Sequence, residues 1–150
     1  MKICIASDHR GFGLKEDLFN YLNDKYDVTD LGTYTNDMVD YTKYGFLVGE
    51  KIRNKEHDLG IVICGTGIGI SIVCNKVKGI RCAKVNSVDD AVMTRKDNDA
   101  NVIALDGKMD RNTAIEIVES FINTEFSNVE RYKKRILDID MYERGEYIDG

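Results

Sequence analysis

A chain of 150 residues that is 43% hydrophobic and 31% charged has the length and composition of one soluble domain with a sizeable core. Its net charge of −5 argues against nucleic acid as a partner, because a phosphate backbone demands a basic surface. Its apolar stretches are far too short to span a bilayer.

The N-terminal run Met1-Lys2-Ile3-Cys4-Ile5-Ala6 meets Ser7-Asp8-His9 at once. That is not the pattern of a secretory leader, so a cytoplasmic address is expected. From there, short apolar runs alternate with amphipathic stretches. Ile3–Ser7, Asp27–Leu31, Leu59–Cys64, Ile80–Val85 and Asn101–Leu105 are predicted strands. Leu14–Leu22, Tyr44–Arg53, Ile70–Lys76, Val88–Arg95 and Asn112–Asn123 carry apolar residues at helical spacing. Ser127–Asp140 is predicted as a further C-terminal helix, with a frayed acidic tail over residues 140–150. Five strands separated by helices predict βαβ units in a single α/β domain, with a five-stranded parallel sheet covered on both faces.

Four cysteines without a C-x-x-C pair and only two histidines predict free thiols and no metal site. Cys4, Cys74 and Cys82 lie inside apolar runs and are expected in the core. His57, in Lys55-Glu56-His57-Asp58, has the setting of a solvated loop residue.

In folds of this kind ligands gather at the carboxyl ends of the strands. Candidate positions are therefore Asp8-His9, Gly32-Thr33, Cys64–Gly69, Asn86-Ser87 and Asp106-Gly107. The third predicted strand runs directly into Gly65-Thr66-Gly67-Ile68-Gly69. Glycines at alternate positions permit positive φ and let amides converge on an anion, and the helix start adds positive potential. A dinucleotide fingerprint fails here, because Ile70 stands where the third glycine belongs and the loop follows the third strand. Two readings remain. Cys64 is a small buried hydrophobe at a tight turn, as cysteines often are. Alternatively it is functional, since a thiol facing a helix N-terminus and a nest of amides is the kind that ionises. Proton abstraction beside a carbonyl needs such a base, and the loop amides with the Thr66 hydroxyl would stabilise the enediolate that forms.

Ser7-Asp8-His9 with Gly11-Phe12, Leu31-Gly32-Thr33-Tyr34, Val39-Asp40-Tyr41, Ile63–Gly69, Asn75–Arg81, Asp99-Ala100-Asn101-Val102 and Thr124-Glu125-Phe126 occur at matching spacing in one family. The chain resembles ribose-5-phosphate isomerase type B and the galactose-6-phosphate isomerase subunits from Lys2 to about Asp140. The resemblance implies a Rossmann-like three-layer sandwich acting as a sugar-phosphate aldose–ketose isomerase without cofactor. It implies a homodimer with shared active sites, a tetramer being left open. By resemblance Cys64 is the base, and Gly65, Thr66, Gly67, Ile68 and Gly69 form the enediolate loop. Asp8 and His9 contact substrate, with Asn98 beside them, and Arg131 and Arg135 bind its phosphate.

Arg131 and Arg135 are spaced i, i+4 and so share one helix face, and the arginine fork suits phosphate. Arg10 and Arg81 are weaker cation candidates. Asp8 is also a natural helix cap, with His9 merely beside it.

The match fails at Asp97, where the family usually has a histidine that opens the sugar ring. An ionised carboxylate only accepts hydrogen bonds. Asp97 is therefore a substitute acid–base group, a ligand for a different hydroxyl, or inert. A tetrose 4-phosphate, whose O4 is esterified, cannot close a furanose and needs no ring opening. It stands beside ribose 5-phosphate and hexose 6-phosphates as a candidate substrate. A reading of another class is a catalytically silent sugar-phosphate sensor or subunit.

Overall fold

The computed structural model describes residues 1–148. In chain order the elements are β1 (Lys2–Ser7), α1 (Phe12–Leu22), β2 (Asp27–Asp30), α2 (Tyr41–Arg53), β3 (Leu59–Cys64), α3 (Ile68–Asn75), β4 (Cys82–Lys84), α4 (Val88–Asn98), β5 (Val102–Asp106), α5 (Arg111–Asn123) and α6 (Glu130–Glu143). The sheet is parallel throughout, in the order β2-β1-β3-β5-β4. Every strand therefore ends on the same edge.

Alternation along the central strands divides the core between two faces. Ile3, Ile5, Ile61, Ile63, Ile103 and Leu105 pack with Leu14, Leu18 and Leu22 of α1 and with Ile117 and Phe121 of α5. Cys4, Ala6, Val62, Cys64 and Ala104 face the other way, against Tyr44, Val48 and Ile52 of α2 and Ile70 and Cys74 of α3. The result is the expected three-layer α/β sandwich. All six residues of β3 are buried, as a strand covered on both faces requires.

Several predicted boundaries shift, each for a local reason. β4 was expected over Ile80–Val85. Instead the Ile80 amide closes a turn onto the Val77 carbonyl, with Gly79 at φ 86°. The Asn75 side chain then clamps Cys82 through both its oxygen and its nitrogen. The C-terminal helix begins at Glu130, because Ser127 spends its amide and hydroxyl on the Lys96 carbonyl and Asn128 takes φ 61°. It runs on to Glu143, so residues 141–143, expected in the tail, are helical. There the Glu143 carboxylate accepts from the Gly79 amide. Residues 149 and 150 of that tail lie outside the described residues.

Candidate active site

Asp8, Arg10, Tyr41, Cys64, Gly65, Thr66, Ile68 and Gly69 surround a cavity of about 310 Å³ at the carboxyl edge of the sheet. Cys64 ends β3 and is only 4% exposed, packed into the core on one side and lining this opening on the other. Its backbone is fixed by the neighbouring strand's loop: the Gly107 amide donates to the Cys64 carbonyl at 2.8 Å.

Each glycine of the following loop has a steric cause. Gly67 takes φ 78°, and a Cβ there would stand 2.9 Å from the Leu105 carbonyl. Such positive φ with close backbone approach favours glycine. Gly67 therefore shapes the loop from behind and does not line the cavity. A Cβ on Gly69 would be 2.7 Å from the Tyr41 ring, and one on Gly65 would be 2.7 Å from Arg10 Cδ. The absent side chains at 65 and 69 are what admit Arg10 and Tyr41 to the site. Thr66 Oγ1 accepts from the Ile68 amide at 3.1 Å, which starts α3 and leaves the hydroxyl proton to donate elsewhere.

Asp8 is buried, and its Oδ1 accepts from the amides of Arg10 (2.9 Å) and Gly11 (3.0 Å). Asp8 closes the turn that leads to α1, whose N-cap position is Gly11 and not Asp8, and it borders the cavity. His9 does not border it. Its Nδ1 lies 3.2 Å from both the amide nitrogen and the carbonyl oxygen of Val39, so the tautomer decides which contact is a hydrogen bond. Either way the ring is docked on the segment that leads into α2.

The other expected residues fall elsewhere on the chain. Asp97 and Asn98 end α4, which has returned toward the start of β4. There the Asn98 carbonyl accepts from Arg81 Nε at 3.0 Å, and its Oδ1 accepts from Thr94 Oγ1. Arg131 and Arg135 are exposed on α6, with their guanidinium carbons 4.6 and 5.8 Å from the Tyr132 ring centre. None of these four residues lines the Cys64 cavity of its own chain.

Two smaller expectations change. Cys82 is half-buried, bordering a second cavity of about 390 Å³ between β4, α3, α4 and α6. His57 is not a freely solvated residue: its Nε2 faces Thr29 Oγ1 at 3.2 Å, and its Nδ1 is buried without a partner.

Two of the thiols outside the site are held protonated. Burial is the main reason that the Cys4 thiol is pushed up to about 12. Contact with Cys74, followed by burial, holds Cys82 well above the ordinary thiol range. Among the described residues no group of three or more His, Cys, Asp or Glu side chains could hold a metal ion. No described helix is long and apolar enough to cross a membrane.

Tyr41 and Arg10 are the residues that sequence reasoning under-weighted. Tyr41 ends one of the matching motifs and Arg10 was only a weaker cation candidate, but the steric demand of Gly69 and Gly65 shows that both reach the cavity.

The family model described as Ribose/Galactose Isomerase matches residues 3–139. The ribose-5-phosphate isomerase B of Clostridium thermocellum superposes with a TM-score of 0.93 at 42% identity, covering 97% of this chain and 99% of that one. The corresponding Mycoplasma genitalium enzyme, solved with bound ribulose-5-phosphate, gives 0.89 at 39% identity over 95% and 96% of the two chains. A 4-deoxy-4-sulfo-D-erythrose isomerase of Clostridium sp. (strain MSTE9) is 36% identical over 141 residues, covering 91% of this chain and 89% of that protein.

Proposed function

The chain belongs to the ribose/galactose isomerase family and is a sugar-phosphate aldose–ketose isomerase, and from that premise we propose that Cys64 is the base that moves the proton. The observation that carries this reading is the placement of Cys64 at the wall of a small cavity, at the point where β3 meets the glycine loop and the start of α3.

The Cys64 thiolate takes the C2 proton of the open-chain aldose. The C–H electron pair becomes the C1–C2 double bond, and the carbonyl pair moves onto O1 as an enediolate. The thiol returns the proton to C1, and the O2 hydroxyl proton passes to O1, leaving a C2 carbonyl. The loop from Gly65 to Gly69, with the Thr66 hydroxyl, stabilises the charge at O1. The Asp8 carboxylate, oriented by the Arg10 and Gly11 amides, accepts from a sugar hydroxyl, while His9, docked on Val39 outside the cavity lining, holds the segment that leads into α2.

Because Asn98, Arg131 and Arg135 lie away from this cavity, they serve it only if a second copy presents its α4–α6 face to the opening. The account therefore includes a homodimer whose sites are shared, with the partner's arginine pair on the phosphate. Four free cysteines fit a reducing cytoplasm.

Ribose 5-phosphate is the first substrate to test. A second reading is a four-carbon sugar bearing an acidic group at C4. It is favoured by Asp97, which stands where the resemblance expects a ring-opening histidine, and the sulfoerythrose isomerase shows that a relative of this chain works at that chain length. The test is turnover by the purified protein on phosphorylated tetroses, pentoses and hexoses, followed by NMR, together with Asp97→His. The ribose reading expects ribose 5-phosphate to lead the panel. A tetrose lead, with Asp97→His improving only ring-forming sugars, would transfer the assignment to the shorter substrate. No interconversion of any of them would defeat both.

A further inference from the structure

The main chain of Arg10 is held on both sides. Its amide donates to Asp8 Oδ1 at 2.9 Å, and its carbonyl is pressed so closely on Gly107 that a Cβ there would stand 2.5 Å from the oxygen. From this anchored position the side chain lies across Gly65, where an added Cβ would be 2.7 Å from Cδ and 2.9 Å from Nη1. Gly65 is the residue bonded to Cys64, so a guanidinium covers the backbone next to the proposed base and borders the same cavity.

Among the described residues this guanidinium has no ion-pair or hydrogen-bond partner. The contrast with Arg81 and Arg95 is plain, since both are engaged with Asp99. The carboxylate beside it in the cavity, Asp8, spends Oδ1 on main-chain amides. An arginine is always charged, and this one, exposed to solvent at the rim of the cavity, has its donors free for an anion that enters there.

Resting on the assignment of Cys64 as base, we propose that Arg10 is a catalytic residue: its guanidinium donates to the oxygen on which negative charge collects when Cys64 removes the proton. The reacting carbons must lie within contact of the sulfur, and that places O1 and O2 over the 64–65 segment that Arg10 covers. The phosphate of the same molecule is several bonds farther out, and the exposed α6 arginines are the cations proposed for it. Arg10 is thus the local device by which an acidic protein stabilises an anion at the reacting end.

Steady-state kinetics of Arg10→Met and Arg10→Lys test this, with thermal melts to confirm folding. Loss of one oxyanion donor costs about a hundredfold to a thousandfold in kcat. Arg10→Met should fall in that range with KM changed little, and Arg10→Lys should recover part of the loss. A planar hydroxamate analogue of the enediolate should lose affinity for Arg10→Met, while inhibition by inorganic phosphate stays unchanged. A kcat within threefold of wild type would overturn the proposal. So would weakened phosphate inhibition with kcat intact, which would make Arg10 a phosphate ligand. Failure of the base assignment would appear in another variant, as retained C2 hydrogen exchange in Cys64→Ala.

Discussion

The Gly107 amide and the Cys64 carbonyl are joined by a 2.8 Å hydrogen bond, so the strand that carries the proposed base is tied at its last residue to the loop after β5. The same glycine leaves room for the Arg10 carbonyl, and a methyl there would come within 2.5 Å of it and 3.1 Å of the Cys64 oxygen. Gly107→Ala should therefore displace both the base and the Asp8–Gly11 turn. An overpacked site of this kind costs about 1–3 kcal/mol, and kcat should fall more than tenfold because reacting geometry tolerates little displacement. Urea unfolding and kinetics of the variant check this. Unchanged kcat would mean that the contact is structurally slack.

Lys15 on α1 is fully buried, with its ammonium 2.7 Å from Asp30 and 2.8 Å from Glu16. Asp30 also accepts from the Gly32 amide, and Gly32 and Thr33 bond Ser7 at the end of β1. The pair therefore braces the segment that leads into Asp8. Asp30→Asn leaves a buried ammonium with only half-solvated Glu16 opposite, a loss of about 3 kcal/mol. Lys15→Met removes the buried charge and leaves Asp30 with its amide partner, so it should cost less. The order of the two urea midpoints is the readout, and a reversed order would contradict the brace.

Alkaline pH should weaken the fold through Cys4. Burial, above all, keeps its thiol protonated up to about 12 in the folded chain, whereas an unfolded cysteine ionises above about 8.5. Between those values the unfolded state holds fewer protons, so stability is complete below the lower value and declines as pH rises through the window. The slope is about 1.4 kcal/mol per pH unit for this group. Unfolding midpoints at pH 8 and 10.5 should diverge more for wild type than for Cys4→Ala. Equal slopes would remove Cys4 from the effect.

The alternation of apolar runs at periods of two and three to four was enough to read the parallel sheet and its helical cover, because each strand and helix buries one continuous face. Boundaries failed where a side chain or turn captured the main chain, as Ser127 does at Lys96 and Asn75 at Cys82. Within the site, the Cys64–Gly69 loop was legible as consecutive residues with a required conformation. Arg10 and Tyr41 were not, because what places them is the missing Cβ of a distant glycine. That Asp97, Asn98, Arg131 and Arg135 stand apart from the cavity was equally invisible, since spacing along a helix says nothing of which sheet edge the helix faces.

The most direct test of the whole account follows hydrogen exchange between solvent deuterium and C2 of the substrate aldose, by NMR, in Cys64→Ala against wild type. With the thiol as base, exchange and isomerisation should fall together by at least a hundredfold to ten-thousandfold, while the variant still binds the sugar phosphate. Exchange at the wild-type rate in Cys64→Ala would show that another group takes the proton and would contradict the mechanism.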